Sequence, residues 1–317
     1  MAIYLRRLEG LRAPWTQDPI LSAYRFTNTY RGADRVSQYL IREVQYHPER
    51  PQTPEELFFR TILFKVFNKI ETWEALERAH GPLSWRGVRL DVIDRTLSDL
   101  LARGQRIYSA AYIMPAPAFG ALRKHSNHLR LIEAMMADRL PDRLRQAPDL
   151  GSVYERVLRY PGLGPFLAFQ YTIDLNYSNL LDFGEDGFVV AGPGAIDGIS
   201  KCFVSTGGRS PEQLIDWVSD RQEEEFRKRG IVFPGLFGRH LQPIDCQNLF
   251  CEISKYARVA HPEIAGVAKR LRIKQSYRQD ARPLPSPMFP PKWDVQLPKL
   301  KLQSIGTSDS GPQLALI

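Results

Sequence analysis

Between residues 54 and 79, apolar side chains recur at Leu57, Ile62, Leu63, Val66, Phe67 and Ile70, the spacing of a broad stripe on one α-helix. A core helix follows from that pattern. Other segments repeat the same period. A second helix is expected from about Val88 to Met114, stopped by Pro115 and Pro117, and a third from about Leu122 to Arg139, before Pro141. Shorter helical patterns cover Gly151 to Arg159, a segment opening at Pro165, and Ala195 to Phe203. Two more run from Pro211 to Arg229, behind Ser210 as N-cap, and from Pro243 to Ala257. Strand-like alternation is nearly absent, with Phe188 to Ala191 the one short run. The expected fold class is therefore all-α.

From about Asp280 the chain turns to Pro, Ser and Gly without an amphipathic period, so 276–317 reads as a Pro-rich flexible tail. Residues 1–14 read as an N-terminal extension, and 15–275 as one helical body. Among 317 residues, 43 Lys and Arg face 35 Asp and Glu, a net charge of +8 that suits a polyanionic partner. Three cysteines, at Cys202, Cys246 and Cys251, lack the paired spacings of a zinc site or a disulfide scaffold, which fits a reducing compartment. No segment carries the apolar stretch of a signal peptide or membrane span, and a cytoplasmic protein is expected.

Two glycines flank one apolar residue in Tyr160-Pro161-Gly162-Leu163-Gly164-Pro165-Phe166-Leu167-Ala168, directly before a helix. Such a turn exposes backbone N–H groups where the helix dipole favours an anion, so Gly162 and Gly164 are candidates to hold a nucleic-acid phosphate. A plain turn between two helices is the alternative. Gly192-Pro193-Gly194 opens another helix, and it is either an anion cradle or a tight turn. Arg25, Arg31 and Arg35, taken as helical, would place Arg31 and Arg35 on one face that could bind phosphate or simply be solvated, with Asn28 beside Arg25. Asn68, like Asn28, follows an aromatic residue and suits a cap or bridge between helices.

Asp174 lies one turn after Gln170 on an apolar helix, where an unpaired carboxylate would be costly; it is paired with an arginine or poised as a base. Asn248, Glu252 and Lys255 share a helical face, as an ion pair or as part of a site. Cys251 reads as core rather than nucleophile. No Gly-x-x-x-x-Gly-Lys-Ser/Thr segment is present, so a Walker-type nucleotide site is not expected. No spacing calls for a metal or a cofactor, although Asp182 and Asp186 could contribute ligands if a metal were used.

The 160–168 segment resembles the hairpin of helix-hairpin-helix DNA glycosylases. In bifunctional members a lysine stands two residues after the second hairpin glycine, where this chain has Phe166. Their later catalytic aspartate falls in a region that reads Val190-Ala191-Gly192-Pro193-Gly194 here, unless Asp186 or Asp197 substitutes. The resemblance thus implies a glycosylase-like helical scaffold whose excision residues are missing.

Five blocks in order, Tyr-Arg-Phe-Thr-Asn with Arg-x-x-Asp-Arg, Leu-Phe-x-Lys-Val-Phe-Asn, Pro-Gly-Leu-Gly-Pro-Phe-Leu-Ala, Gly-Pro-Gly-Ala, and Gln-Asn-Leu-Phe-Cys-Glu-x-x-Lys-Tyr, resemble one family. It is the thymine-hypermodification family, which includes amino acid:DNA transferases, α-glutamyl/putrescinyl thymine pyrophosphorylases and the helical domain of 5-hydroxymethyl-deoxyuridine DNA kinases. The resemblance implies displacement of phosphate from 5-phosphomethyl-deoxyuridine in DNA by an amino acid, glycine favoured, or a polyamine, with such a kinase as a candidate companion. It also implies roles. Asp174 or Glu252 would be the base, and Arg25, Arg31, Arg35 or Lys255 with Gly192 and Gly194 would hold the phosphate. Gly162 and Gly164 would grip the backbone, and Phe26, Tyr30 or Tyr177 would stack on a base. A divergent glycosylase and a non-catalytic DNA-binding module are the alternatives.

Overall fold

The computed structural model describes residues 1–110, 114–278 and 284–297. Helices α1 to α8 are Ala2–Leu8, Pro19–Ala23, Arg35–Tyr39, Pro54–Phe67, Ile70–His80, Leu90–Ala102, Lys124–Ala137 and Leu140–Arg145. Helices α9 to α13 are Leu150–Leu158, Pro165–Tyr177, Pro193–Cys202, Pro211–Lys228 and Pro243–Ala260. A π-helical stretch, Leu40–Gln45, continues α3, and 3-10 turns cover Arg31–Ala33 and Pro291–Trp293. Among the described residues there is no strand, only the isolated bridges Tyr24–Ser276 and Leu236–Arg239. The all-α expectation is met, and Phe188 is held by its ring against Tyr154 and Phe169 rather than by strand pairing.

Two helices form the centre. In α4 every residue from Glu56 to Phe67 is buried, and in α10 every residue from Leu167 to Tyr177. A helix covered on all sides must bring its polar side chains to partners inside the core. Helix α4 packs against α7, α8 and α10, while α9 and α10 pack together as the two arms of the 159–164 turn. Helices α11 and α13 approach so closely that a Cβ on Gly198 would lie 2.0 Å from the Phe250 carbonyl oxygen. Only a residue without a Cβ permits that contact.

The expected helix over 54–79 is in fact two. Asn68 adopts the left-handed conformation, φ 48°, and ends α4; its side chain accepts a hydrogen bond from Lys65 Nζ at 2.8 Å. Asparagine is the residue besides glycine that tolerates this backbone, so the apolar stripe turns a corner there. The helix expected over 88–114 closes at Ala102, where the chain turns through Gly104 at φ 74°. Ser210 caps α12 through a capping box with Gln213, as the N-cap pattern predicts.

The proposed tail also needs correction. Residues 284–297 pack onto the body: Gln38 Nε2 donates to the Met288 carbonyl at 2.9 Å, and Lys292 Nζ donates to the Leu181 carbonyl at 2.6 Å. Trp293 meets the Tyr177 ring edge-on at 5.3 Å and fills the space over Gly32, where a Cβ would stand 2.6 Å from its ring. Aromatic rings anchor this segment without any periodic pattern. Residues 298–317 lie outside the described residues. Trp293→Ala should lower unfolding free energy by about 2 kcal/mol, less than for a fully buried tryptophan because the ring is only partly covered; guanidinium titration gives the value, and an unchanged midpoint would deny the strap its anchoring role.

Candidate functional site

A cleft of about 1370 Å³ opens between α1, the segment 24–29, α3, the face of α13 and the chain at 275–278 and 284–285. Arg7, Arg25, Arg35, Arg42 and Arg278 line it, together with Asp34 and Glu252. Trp15, Tyr24, Phe26, Tyr39, Tyr256 and Tyr277 supply aromatic walls. Cations beside flat aromatic faces suit a ligand with both phosphate and ring character.

The segment 24–30 is a loop, not the helix expected there, so the three arginines part company. Arg25 and Arg35 are exposed at the cleft, whereas Arg31 turns inward and is buried. Helix α13 holds the loop by its backbone. Asn248 Nδ2 donates to the Asn28 carbonyl at 2.7 Å, the Thr27 N–H donates to Glu252 Oε2 at 3.1 Å, and Lys255 Nζ donates to the Arg25 carbonyl at 3.0 Å. Lys255 also pairs with Glu252 at 2.7 Å and lies over the Phe26 ring. The expected shared face of Asn248, Glu252 and Lys255 is therefore real, and it works as a clip on the cleft wall. Asn28 stiffens the same loop by accepting the Tyr30 N–H at 3.0 Å.

Arg31 reaches into the core between α4 and α10. Its Nη1 lies 2.7 Å from Asp174 Oδ1, its Nε donates to Gln170 Oε1 at 2.9 Å, and Lys65 Nζ lies 3.0 Å from Asp174 Oδ2. Burial alone pushes the Asp174 carboxyl up, but Arg31 and Lys65 outweigh it and hold it below the ordinary carboxylate value. A fully buried carboxylate kept ionised by two cations is a poor proton acceptor. Of the two readings of Asp174, the paired one describes the structure, which corrects its candidacy as the base and that of Arg31 as a phosphate ligand at the surface.

Tyr177 is buried as well, with Arg31 5.4 Å from its ring centroid on one side and Trp293 against another, so no base can stack there as the chain is folded. Tyr30 is likewise buried, donating its hydroxyl to the Arg239 carbonyl at 2.7 Å. Gly192 and Gly194 serve packing: a Cβ would stand 2.7 Å from Phe166 and 2.9 Å from Cys251 Sγ respectively. The tight-turn reading of Gly-Pro-Gly describes this geometry, and an open phosphate cradle does not. Asp197 is saturated by Ser254, the Ala268 N–H at 2.7 Å and Lys201 at 3.3 Å. Burial pushes the Cys251 thiol up to about 11, in keeping with a core residue. Among the described residues no group of three or more His, Cys, Asp and Glu side chains is placed to hold a metal.

The hairpin opens α10, the helix that carries Asp174, and its Phe166 packs against Gly192. Gly162 takes φ 82°, and Gly164 is the exposed N-cap of α10 with open space around it. Beside it Arg143, Arg156 and Arg159 surround a smaller pocket with Phe119, Tyr160 and Pro161. Arg156 and the C-cap Arg159 come from α9 and Arg143 from α8, while Arg7, Arg42 and Arg278 at the cleft stand on separate elements. Only their excess over acidic residues in the sequence hinted at them.

A second buried carboxylate supports the same corner. Asp245 accepts the Arg31 N–H at 2.8 Å and the Gln242 N–H at 3.1 Å, yet burial pushes its carboxyl up to about 7. The folded state thus keeps a proton that an unfolded chain releases near 3.8, so stability from this group falls as pH rises through that window. Asp245→Asn should flatten the decline: its melting temperature relative to the parent should rise between about pH 4 and 7, and parallel pH profiles would refute the assignment. Asp174→Asn leaves Arg31 and Lys65 without their counter-charge and should cost about 3–5 kcal/mol. Glu252→Gln, at a partly open pair, should stay within about 1 kcal/mol. Equal losses for the two variants in urea titrations would rule out this division between core and cleft.

The family model described as 5-hmdU DNA kinase, helical domain, matches residues 1–266. A 5-hmdU DNA kinase of Bacillus phage SP10 is 26% identical over 274 residues, covering 80% of this chain and 42% of the phage protein. The chain therefore spans less than half the length of that relative. No solved structure matches. No helix among the described residues is long and apolar enough to cross a membrane. The matched span takes in α1, the loop clipped by α13 and the buried ion pair beneath it, and with most of its length so matched the chain belongs to the 5-hmdU DNA kinase helical-domain family.

Proposed function

We propose that this protein acts on DNA in thymine hypermodification as an amino acid:DNA transferase. The amine of an amino acid, glycine favoured, or of a polyamine attacks the exocyclic methylene of 5-phosphomethyl-deoxyuridine. A C–N bond forms while the C–O bond to phosphate breaks, and the phosphate leaves with the bonding electrons. The ammonium nucleophile must first lose a proton, and the departing charge must be held.

One observation carries the reading: the cleft sets exposed Arg25 and Arg35 on the same walls as Glu252 and a set of aromatic rings. Arg25 and Arg35, with Arg42 and Arg278 nearby, hold the phosphate as it departs. Glu252 receives the ammonium proton, with Lys255 fixing its position at 2.7 Å. Phe26 or Trp15 receives the exposed base. Arg143, Arg156 and Arg159 assist Gly162 and Gly164 in holding the backbone at the hairpin. Asp174 acts only through Arg31, by fixing the turn that precedes α3.

A second reading has a specific support. The phage relative is named as a kinase and is more than twice as long as the stretch matched here, so this helical unit could serve as a DNA-binding module beside a separate catalytic domain. A divergent glycosylase is favoured less, because Phe166 stands in the lysine position and packs against Gly192. Incubating the protein with 5-phosphomethyl-deoxyuridine DNA and glycine or putrescine, followed by nucleoside mass spectrometry, separates the three. The transferase gives a mass gain matching the amine, abolished or cut at least about 100-fold in Glu252→Gln and Arg35→Ala. Release of free base would select the glycosylase, and unchanged nucleosides across all donors would select the binding module.

A further inference from the structure

Beyond α13 the chain reads Lys269-Arg270-Leu271-Arg272-Ile273-Lys274-Gln275-Ser276-Tyr277-Arg278: five cations and no carboxylate. All five are exposed, and none forms an ion pair with a described residue. Such a concentration of unneutralised charge is self-repelling, and here it is held in place from both ends. At one end the Ala268 N–H donates to the buried Asp197 at 2.7 Å, and Gly266 leaves no room for a Cβ against that carboxylate. In the middle Arg258 Nη1 donates to the Arg272 carbonyl at 3.3 Å. At the other end Arg25 N–H donates to the Gln275 carbonyl at 3.0 Å, and the Tyr277 N–H donates to the Ala23 carbonyl at 2.9 Å. Gln275 to Arg278 then form part of the cleft wall next to Arg25.

We infer that residues 269–278 are a phosphate track that leads a DNA strand into the cleft. Anchoring by backbone and by one buried aspartate leaves the five cationic side chains free for a polyanion. The segment ends at the cleft instead of pointing into solvent, and all of it lies beyond residues 1–266, which the family model covers. Arg258 on α13, bonded to the Arg272 carbonyl, adds a further cation beside the track; burial, and after it the nearby Arg270, lower its pKa. The inference rests on DNA being the partner, and it does not depend on which chemistry follows.

The test replaces Lys269, Arg270, Arg272 and Lys274 with glutamine in the full chain and measures binding to an unmodified DNA oligonucleotide by fluorescence anisotropy across a salt series. A control replaces Arg221, Arg227 and Lys228 on α12 and its C-cap Arg229 with glutamine, an equal loss of four charges on a helix rich in glutamates, to separate a local track from loss of net charge. The track variant should bind at least about tenfold more weakly, with a slope of log affinity against log salt shallower by roughly three. The control should keep the parent slope. Unchanged affinity and slope in the track variant, equal losses in both variants, or losses seen only with anionic vesicles and not with DNA would overturn the inference. Failure of amine incorporation with the binding loss intact would remove the transferase reading and leave the track standing.

Discussion

Everything around the cleft depends on one buried carboxylate. Asp174 sits wholly inside α10 between Arg31 and Lys65, so three separate stretches of chain meet at a single charge. An ion pair in a core returns little net stability, because desolvation consumes most of the attraction. What it does impose is geometry. Removing Asp174 would leave two buried cations without their counter-charge, and its ion pair with Arg31 ties the turn at Arg31–Ala33 to α4 and α10. Gln170 and the ring of Tyr177 complete the lining of that charge.

From this anchor the chemistry of the cleft is built outward. The chain entering Arg31 is the loop that carries Arg25 to Asn28, and it is fixed at its far side by α13 through Asn248, Glu252 and Lys255. The loop is thus pinned by a buried pair at one end and a row of side chains at the other, with Arg25 turned outward. A loop held this way presents charge with little entropy left to lose on binding. The strap at 284–297 closes the opposite side of the anchor, with Trp293 over Gly32 and Tyr177.

Besides the basic stretch at 269–278, arginines gather at the cleft and at the hairpin pocket, and these two places differ in shape and lining. Arg143, Arg156 and Arg159, with Asp138, line a recess near the exposed Gly164, and the three cations suit backbone phosphates. The cleft is deep and aromatic, suited to a nucleotide taken out of its stack. The chain belongs to the helical-domain family of 5-hmdU DNA kinases, and a division of labour between grip and cleft is what the proposed transfer would require.

Most helix positions were legible in the residues: the apolar stripe through Leu57 to Phe67, the prolines at helix starts and the Ser210 cap each express a local preference that the fold keeps, whereas the break at Asn68 and the early end at Ala102 were not read. The pairing of Asp174 was half legible, since an apolar helix cannot bury a lone carboxylate; that its partners are Arg31 and Lys65 was not, because they are distant in sequence. Reading Arg25 to Arg35 as one helix failed for a related reason. Tyr30 and Arg31 were more stable buried against α10 and α13 than in a continuous turn of helix, and that contest is decided by contacts no local pattern records. The sequence by itself determined the helical class, the glycine turn that precedes α10 and the excess of positive charge. Only the tertiary structure decided which arginine faces the cleft and which is sealed in the core, because that choice depends on where a buried carboxylate needs its counter-charge.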